Sequence, residues 1–96
     1  MGDDIISNHN NRYMRCELTT VYGKIDIFGY KPNKKYKLTV HHIKPVREGG
    51  KTTLENTCLL REDIHIRFNF LESIDPENGD YINDTIKKLK LINKRR

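Results

Sequence analysis

Histidine and asparagine residues that could bind a metal ion or move a proton recur along the middle of the chain. His41 and His42 are adjacent, and Asn56, His65 and Asn69 follow at gaps of 14, 9 and 4 residues from His42 onward. On a helix, His65 and Asn69 would lie one turn apart on the same face, where they could share one metal ion. An imidazole, whose ordinary pKa is about 6.5, can take a proton from water near neutral pH.

Each of these residues also has an ordinary structural interpretation. Alone, His41 and His42 would be a polar strand end in solvent, and Asn56 would be a helix or turn cap. Asn69 is as readily a solvent-facing helix residue as a ligand. His9 has no partner at ligand spacing and is given no role. The ordered series, rather than any single histidine, is what points to a site.

Two strands and a helix are predicted to position this series. Alternating apolar and polar residues predict a strand over Tyr36–His42, followed by a long loop over 43–55 that contains Pro45 and two glycines. A second strand is predicted over Thr57–Leu60. Glu62 and Asp63 suit the first turn of a helix that runs to about Ile74. Its buried face is predicted to consist of Ile64, Phe68 and Leu71.

The flanking segments predict two further helices and one further strand. A helix capped by Ser7 or Asn8 should run to Tyr22 and stop at Gly23, and Lys24–Phe28 is predicted to form a short strand before a polar turn at 31–35.

After Pro76 and Gly79 end the central helix, a last helix over about 80–94 should bury Ile82, Ile86 and Leu89. Its other face is basic and is as often a solvated face as a clamp for a DNA backbone. The basic residues are Lys87, Lys88, Lys90, Lys94, Arg95 and Arg96.

Length and composition favour one domain over residues 1–96 with a small core, since 35% of the residues are apolar and 32% are charged. No apolar run approaches the roughly 18 residues that span a bilayer, and no signal segment opens the chain, so we expect no membrane partner and a cytoplasmic location. A net charge of +5 favours a polyanionic partner. Cys16 and Cys58 form no C-x-x-C pair and are expected to be buried free thiols.

The series resembles the HNH endonuclease family, the ββα-metal nucleases. The resemblance covers about residues 25–70 and is carried by Leu38-Thr39-Val40-His41-His42-Ile43-Lys44-Pro45, Glu48-Gly49-Gly50, Leu54-Glu55-Asn56 and His65. It implies an α+β fold: a ββα-metal core at about 25–74, with an N-terminal helix and a basic C-terminal helix.

The resemblance also implies a role for each residue of the site. His42 would be the general base that activates a water molecule, and Asn56 would tie the loop backbone in place and help to orient that base. His41 and His65 would bind one divalent cation, with Asn69 as the third ligand. The cation would stabilise charge on the phosphate and on the leaving 3′-oxygen. Mg²⁺ or Mn²⁺ is preferred, and Ni²⁺ or Zn²⁺ is compatible with these ligands.

Many HNH proteins carry two C-x-x-C pairs around a structural zinc, and this chain departs from that pattern. Ile25 and Phe28 stand at the first pair, Arg61 and Ile64 at the second, and Cys58 lies outside this register. We therefore expect no structural zinc cluster and expect apolar packing of Ile25, Phe28 and Ile64 to replace it.

Because adjacent strand residues point to opposite faces, His41 and His42 could reach one phosphate only if the backbone turns or bulges there.

The activity that the resemblance implies is metal-dependent DNA hydrolysis that makes one nick per site, by a monomer or a homodimer. Candidate phosphate contacts are the basic residues around the motif and on the last helix, namely Lys44, Arg47, Lys51, Arg61, Arg67, Lys87 and Lys88.

One rival interpretation is a catalytically inactive DNA-binding or phage packaging accessory protein with the same fold. A nuclease toxin domain would share the motif, but nothing else in the sequence supports it. The compact, Lys-, Ile- and Asn-rich chain suits a phage or mobile-element protein, which would act in the cytoplasm of a bacterial or phage-infected cell.

Overall fold

A computed structural model describes the backbone of residues 2–93 and the side chains of residues 10–93. Three α-helices surround a two-stranded antiparallel sheet, an α+β layout with the predicted ββα order at its centre. Among the helices described, none is long and apolar enough to cross a membrane. In chain order the elements are α1 (Gly2–Tyr22), β1 (Leu38–His42), a 3₁₀ turn (Val46–Glu48), β2 (Thr57–Arg61), α2 (Glu62–Ile74) and α3 (Pro76–Asn93).

The first helix ends where the sequence predicts but begins earlier. Gly23 adopts a left-handed φ of 93°, and its N–H donates to the carbonyl of Thr19 at 2.8 Å, which ends α1 after Tyr22. The prediction that Ser7 or Asn8 caps the helix is wrong, because α1 already includes both. The sequence places acidic residues at positions 3 and 4, which suit the positive end of the helix dipole.

The predicted strand over Lys24–Phe28 is wrong, because this segment forms a turn around the carboxylate of Asp26. Asp26 Oδ1 accepts hydrogen bonds from the backbone N–H groups of Phe28 and Tyr30 at 2.9 and 2.8 Å, and Oδ2 accepts one from Arg61 N–H at 3.0 Å. Asp26 is only 3% exposed. A buried carboxylate that collects local N–H groups curls the backbone instead of letting it extend.

This turn also corrects the expected replacement for a zinc cluster. Phe28 is 37% exposed and lies outside the core, whereas its neighbour Ile27 is buried against Leu60 and Ile86. Ile64 packs at the edge of that cluster. A carboxylate hydrogen-bonded to backbone N–H groups, together with Ile27, therefore shapes the turn where apolar packing of Phe28 was predicted.

Neither a turn nor a bulge interrupts β1 at His41 and His42, although one was predicted to be necessary for both side chains to reach one phosphate. The described ladder runs regularly from Leu38 opposite Arg61 to His42 opposite Thr57, and the chain bends only afterwards, at residues 43 and 44. The bend thus follows the histidine pair instead of interrupting it. On the α1 side of the sheet, four buried residues form a core cluster: Met14, Leu18, Leu38 and Leu59.

The last two helices meet at a sharper junction than predicted. α2 ends at Ile74 as expected, but α3 begins at Pro76 rather than at about residue 80. Proline is well tolerated in the first turn of a helix because the N–H it lacks has no intrahelical partner there. Gly79 therefore lies inside α3. Leu71, predicted to be buried, is 41% exposed.

The apolar face of α3 is confirmed, but its basic face is smaller than predicted. Ile86 is fully buried, with Ile82 and Leu89 packed beside it. Lys90 does not project into solvent, because its Nζ donates to backbone carbonyls of the loop before β2 and of β2 itself. Lys87 and Lys88 are exposed as expected. Three of the predicted basic residues lie outside the described part of the chain: Lys94, Arg95 and Arg96.

The two free cysteines differ in environment. Cys58 is buried, and this burial raises the pKa of its thiol to about 12. Cys16 is exposed on α1, so the expectation that both thiols are buried is wrong for Cys16.

Candidate active site

A cleft with a volume of about 190 Å³ brings together four of the five predicted catalytic and metal-binding residues. His41 and His42 enter it from the end of β1, and His65 and Asn69 enter it from α2. The 3₁₀ turn closes one side with Val46 and Arg47, and α3 closes another with Asn83. Phe68 and Glu72 of α2, which have no predicted catalytic or metal-binding role, also line the cleft.

His41 is held by a residue of the last helix. Its side chain is 5% exposed, and its Nε2 lies 2.8 Å from Asn83 Oδ1. The Asn83 amide is oriented by its Nδ2, which donates to the carbonyl of Ile43 at 3.1 Å. Oδ1 must therefore accept, so His41 Nε2 carries the proton and Nδ1 keeps its lone pair in the neutral ring.

His65 is oriented in the same way by a residue of β1. Its Nδ1 lies 2.8 Å from Thr39 Oγ1, and that hydroxyl donates its single proton to the carbonyl of Leu60 at 2.7 Å. Thr39 can therefore only accept from His65, so Nδ1 carries the proton and Nε2 is the nitrogen with a free lone pair.

The two rings are neighbours and are electrically neutral at pH 7. Their ring centroids are 5.2 Å apart in an edge-to-face arrangement, and the ring centroid of Phe68 lies 4.5 Å from that of His41. Burial is the main cause that lowers the pKa of His41, and burial together with the neighbouring His41 and His42 charges lowers the pKa of His65 to about 4. Neutral imidazoles with one N–H held by the protein are how histidines usually bind a metal.

The remaining groups of the cleft determine which cation fits. Within residues 2–93, no three or more His, Cys, Asp or Glu residues are grouped to hold a metal ion. The predicted donors that share the cleft are the imidazoles of His41 and His65 and the exposed amide of Asn69, a set that would leave positions for water. This mixed nitrogen and oxygen set fits a divalent cation that keeps part of its hydration shell.

Glu72 is a cleft residue that the sequence analysis missed. Its carboxylate lies 3.8 Å from the guanidinium of Arg47 across the cleft. Positions 65, 69 and 72 follow a helical spacing of four and three, so the signal that placed Asn69 beside His65 also includes Glu72.

His42 is half-buried at the end of β1. Its Nε2 lies 2.9 Å from Thr52 Oγ1, and burial lowers the pKa of its imidazole. Thr52 belongs to the long loop, where no periodicity indicates which side chain returns to the strand. Thr39, Thr52 and Asn83 are thus the three residues that hold the histidines and that the sequence did not single out.

Asn56 joins the two ends of the long loop. Its Oδ1 accepts from Lys44 N–H at 2.8 Å, and its Nδ2 donates to the carbonyls of Lys44 and Lys51 at 3.1 and 2.8 Å. At Gly50, an added Cβ would lie 1.8 Å from the carbonyl oxygen of Lys44. The loop therefore requires glycine at position 50.

The predicted phosphate-binding residues fall into different places. Arg47 lines the cleft, and Lys44 and Lys51 are exposed on the loop beside it. Arg61 points elsewhere, because its guanidinium pairs with Asp63 at 2.7 Å and stacks over an aromatic ring of the Asp26 turn. The other predicted contacts are exposed on α2 and α3 and do not line the cleft: Arg67, Lys87 and Lys88.

Comparison with known proteins gives one family. The family model described as HNH endonuclease matches residues 29–63, which are 35 of the 96 residues. A search of curated proteins and a search of solved structures gave no significant match. The matched segment contains His41, His42 and Asn56 and ends two residues before His65. Residues 29–63 are therefore similar to the HNH endonuclease family, which consists in general of nucleases that act on DNA.

Proposed function

We propose that the protein is a metal-dependent DNA endonuclease that hydrolyses one phosphodiester bond at each site, with His42 as the general base. The observation that carries the proposal is the shared cleft, in which His42 stands beside two neutral imidazoles whose outer N–H groups are already held. A polar strand end in solvent would need none of these arrangements.

The cation would be held by His41 Nδ1 and His65 Nε2, the nitrogens with free lone pairs, together with the Asn69 amide oxygen. A divalent cation supplies positive charge to a phosphate oxygen and to the 3′-oxygen as it leaves. We prefer Mg²⁺ or Mn²⁺, since part of the cation's shell would remain water, and imidazole nitrogens also accept Ni²⁺ or Zn²⁺.

His42 would take the proton from the attacking water. In this role His42 Nε2–H would donate to Thr52 Oγ1, 2.9 Å away, and the lone pair on Nδ1 would accept that proton. The water oxygen then forms a bond to phosphorus, the bond from phosphorus to the 3′-oxygen breaks, and the 3′-oxygen takes a proton from solvent. Because burial lowers the pKa of His42, the imidazole is in its accepting form at neutral pH.

The experiment that tests this function is nicking of supercoiled plasmid by the wild type and by His42→Ala, with Mg²⁺, Mn²⁺, Ni²⁺ or EDTA. Loss of a positioned general base costs roughly 100-fold or more in rate, so His42→Ala should nick at least that much more slowly. EDTA should abolish nicking by the wild type. The control is Thr20→Ala on the exposed face of α1, which should nick like the wild type.

Two results would contradict the proposal. Equal nicking by the wild type and His42→Ala would remove His42 from the chemistry. Plasmid binding without cleavage in any metal, unchanged by EDTA, would favour the rival function, a non-catalytic DNA-binding or phage packaging accessory that uses its basic surface alone.

A further inference from the structure

A basic groove lies between α1 and the segment that leads into β1. Two cavities of about 510 and 780 Å³ share Arg15 and Lys37 as lining residues and so form one continuous surface. The groove carries five cationic side chains, and none of its lining residues, all within the described part of the chain, is acidic. The five cations are Arg12, Arg15, Lys24, Lys34 and Lys37.

The basic groove leads directly to the candidate active site. Val40 lines both the groove and the histidine cleft. Thr39, also in the groove wall, is the residue whose hydroxyl accepts from His65 Nδ1 at 2.8 Å. A polyanionic chain lying in the groove would therefore reach the cleft without crossing an acidic side chain of the groove wall.

We propose that the basic groove binds the sugar–phosphate backbone of the DNA strand next to the phosphate that is cleaved. The proposal rests on the proposed function, because it takes DNA as the substrate. Arg12 and Arg15 are three residues apart on α1 and lie on one face of the helix, so both can contact neighbouring phosphates. Arginine suits this role because its planar fork matches phosphate oxygens, and the exposed Lys37 adds a further charge.

A second polar feature of the groove is consistent with a bound nucleotide. Asn11 lies in the groove wall, and its Oδ1 is buried without a hydrogen-bond partner among the side chains of residues 10–93 and the described backbone. A buried acceptor without a donor is unfavourable, and rotation of the Asn11 amide toward the groove would let it meet an amino group of a nucleotide base.

The surface of α3 suits DNA less well than the basic groove does. Lys87 lines a separate cavity, which it shares with Glu55, so the charges there are mixed. Lys90 in the same cavity is hydrogen-bonded to backbone carbonyls. Lys87 and Lys88 are candidate phosphate contacts by sequence, whereas no sequence pattern singled out Arg12, Arg15 or Lys37.

The test compares two double variants of the full-length protein with the same change in charge. Arg12→Gln/Lys37→Gln removes two charges from the groove, and Lys87→Gln/Lys88→Gln removes two from α3. Glutamine retains the helix propensity of lysine and arginine, and circular dichroism checks the fold. Binding to a duplex of about 25 base pairs is followed by fluorescence anisotropy in EDTA, at several salt concentrations, so that affinity is measured without cleavage.

We expect the groove variant to bind about tenfold more weakly than the wild type. The slope of the logarithm of the association constant against the logarithm of the salt concentration should fall in magnitude by about 2, because each removed cation leaves one phosphate unneutralised. The α3 variant should bind no more than about threefold more weakly. Equal reductions in affinity for the two variants, or a larger reduction for the α3 variant, would overturn the proposal.

Cys16 provides an independent readout of DNA binding, because its exposed thiol lines the groove. The thiol of Cys58 does not interfere, because burial and a raised pKa keep it unreactive. Saturating duplex should slow the alkylation of Cys16 in the wild type by about tenfold, and an unchanged rate would contradict the groove as the binding surface.

These readouts separate the groove from the catalytic proposal. DNA binding that depends on the groove residues, without plasmid nicking, would support the groove as the DNA-binding surface and contradict the proposed endonuclease activity. If the protein nicks plasmid but the groove substitutions change neither the affinity, the salt slope nor the thiol protection, the endonuclease proposal stands and the groove is not the DNA-binding surface.

Discussion

At the scale of single residues, neighbouring side chains decide which nitrogen of each histidine is available. Asn83 occupies His41 Nε2, Thr39 occupies His65 Nδ1, and Thr52 occupies His42 Nε2. The first two partners define tautomers because their own hydrogen bonds leave them able only to accept. The histidines are thus oriented by β1, the long loop and α3 before any ligand binds.

Thr52 offers the sharpest test of this orientation. Thr52→Val keeps the shape of the side chain but removes the hydroxyl that is hydrogen-bonded to His42 Nε2, so we expect plasmid nicking to fall by roughly 10- to 100-fold. Thr52→Ser keeps the hydroxyl and should restore most of the rate. Unfolding in urea should give similar midpoints for the two variants. Equal nicking by the valine and serine variants would show that Thr52 does not position the base.

The residues of the site were foreseeable from sequence to different extents. The series from His41 to Asn69 keeps its order and spacing, so four of its five residues could be placed in one cleft before the fold was known: His41, His42, His65 and Asn69. Thr52 and Asn83 could not, because each meets its histidine across a long loop or across 42 residues of chain. Local periodicity contains no information about such contacts.

At the scale of elements, the turn around Asp26 shows why a local pattern can be misleading. The alternation in Lys24–Phe28 predicts a strand, yet one carboxylate takes three backbone N–H groups, two of them from its own segment. The third, from Arg61, fixes the turn against the end of β2. By contrast, β2 and α2 were predicted almost to the residue, because their burial and first-turn charges are encoded locally.

Asp26 should therefore be a major source of stability in this turn. Asp26→Ala leaves three N–H groups without acceptors, and we expect it to lower the free energy of unfolding by about 3 kcal/mol. Asp26→Asn can still accept from Phe28 and Tyr30 but places an N–H₂ group against Arg61 N–H, so a loss of about 1–2 kcal/mol is expected. Urea unfolding followed by circular dichroism measures both. The exposed Asp84→Ala is the control, and a loss in Asp26→Ala no larger than in Asp84→Ala would contradict this role.

At the scale of the whole molecule, α3 completes a site to which it contributes none of the predicted catalytic or metal-binding residues. The match to the HNH family ends at residue 63, but Asn83 of α3 holds His41 and Ile86 fills the core beneath the sheet. Lys90 of the same helix donates hydrogen bonds to the carbonyls of Leu54, in the loop before β2, and Thr57, at the start of β2. The ββα core thus depends on a helix beyond the matched segment to fix one of its histidines.

Lys90 allows this dependence to be measured. Lys90→Met keeps most of the side-chain length and removes the donor, leaving the loop carbonyls of Leu54 and Glu55 without this partner. We expect it to lower the free energy of unfolding by about 1–3 kcal/mol, seen as a lower urea midpoint. Lys88→Met makes the same change at an exposed position two residues earlier and should shift stability by less than about 0.5 kcal/mol.

The same pair of variants tests whether α3 positions His41. If loosening α3 also loosens Asn83, Lys90→Met should nick plasmid more slowly than Lys88→Met even at a temperature where both are folded, because His41 loses its fixed tautomer. Equal rates for the two folded variants, despite a stability difference, would mean that α3 stabilises the domain without orienting the histidine. A slower Lys90→Met would instead show that the site extends beyond the segment matched by the family model into the last helix.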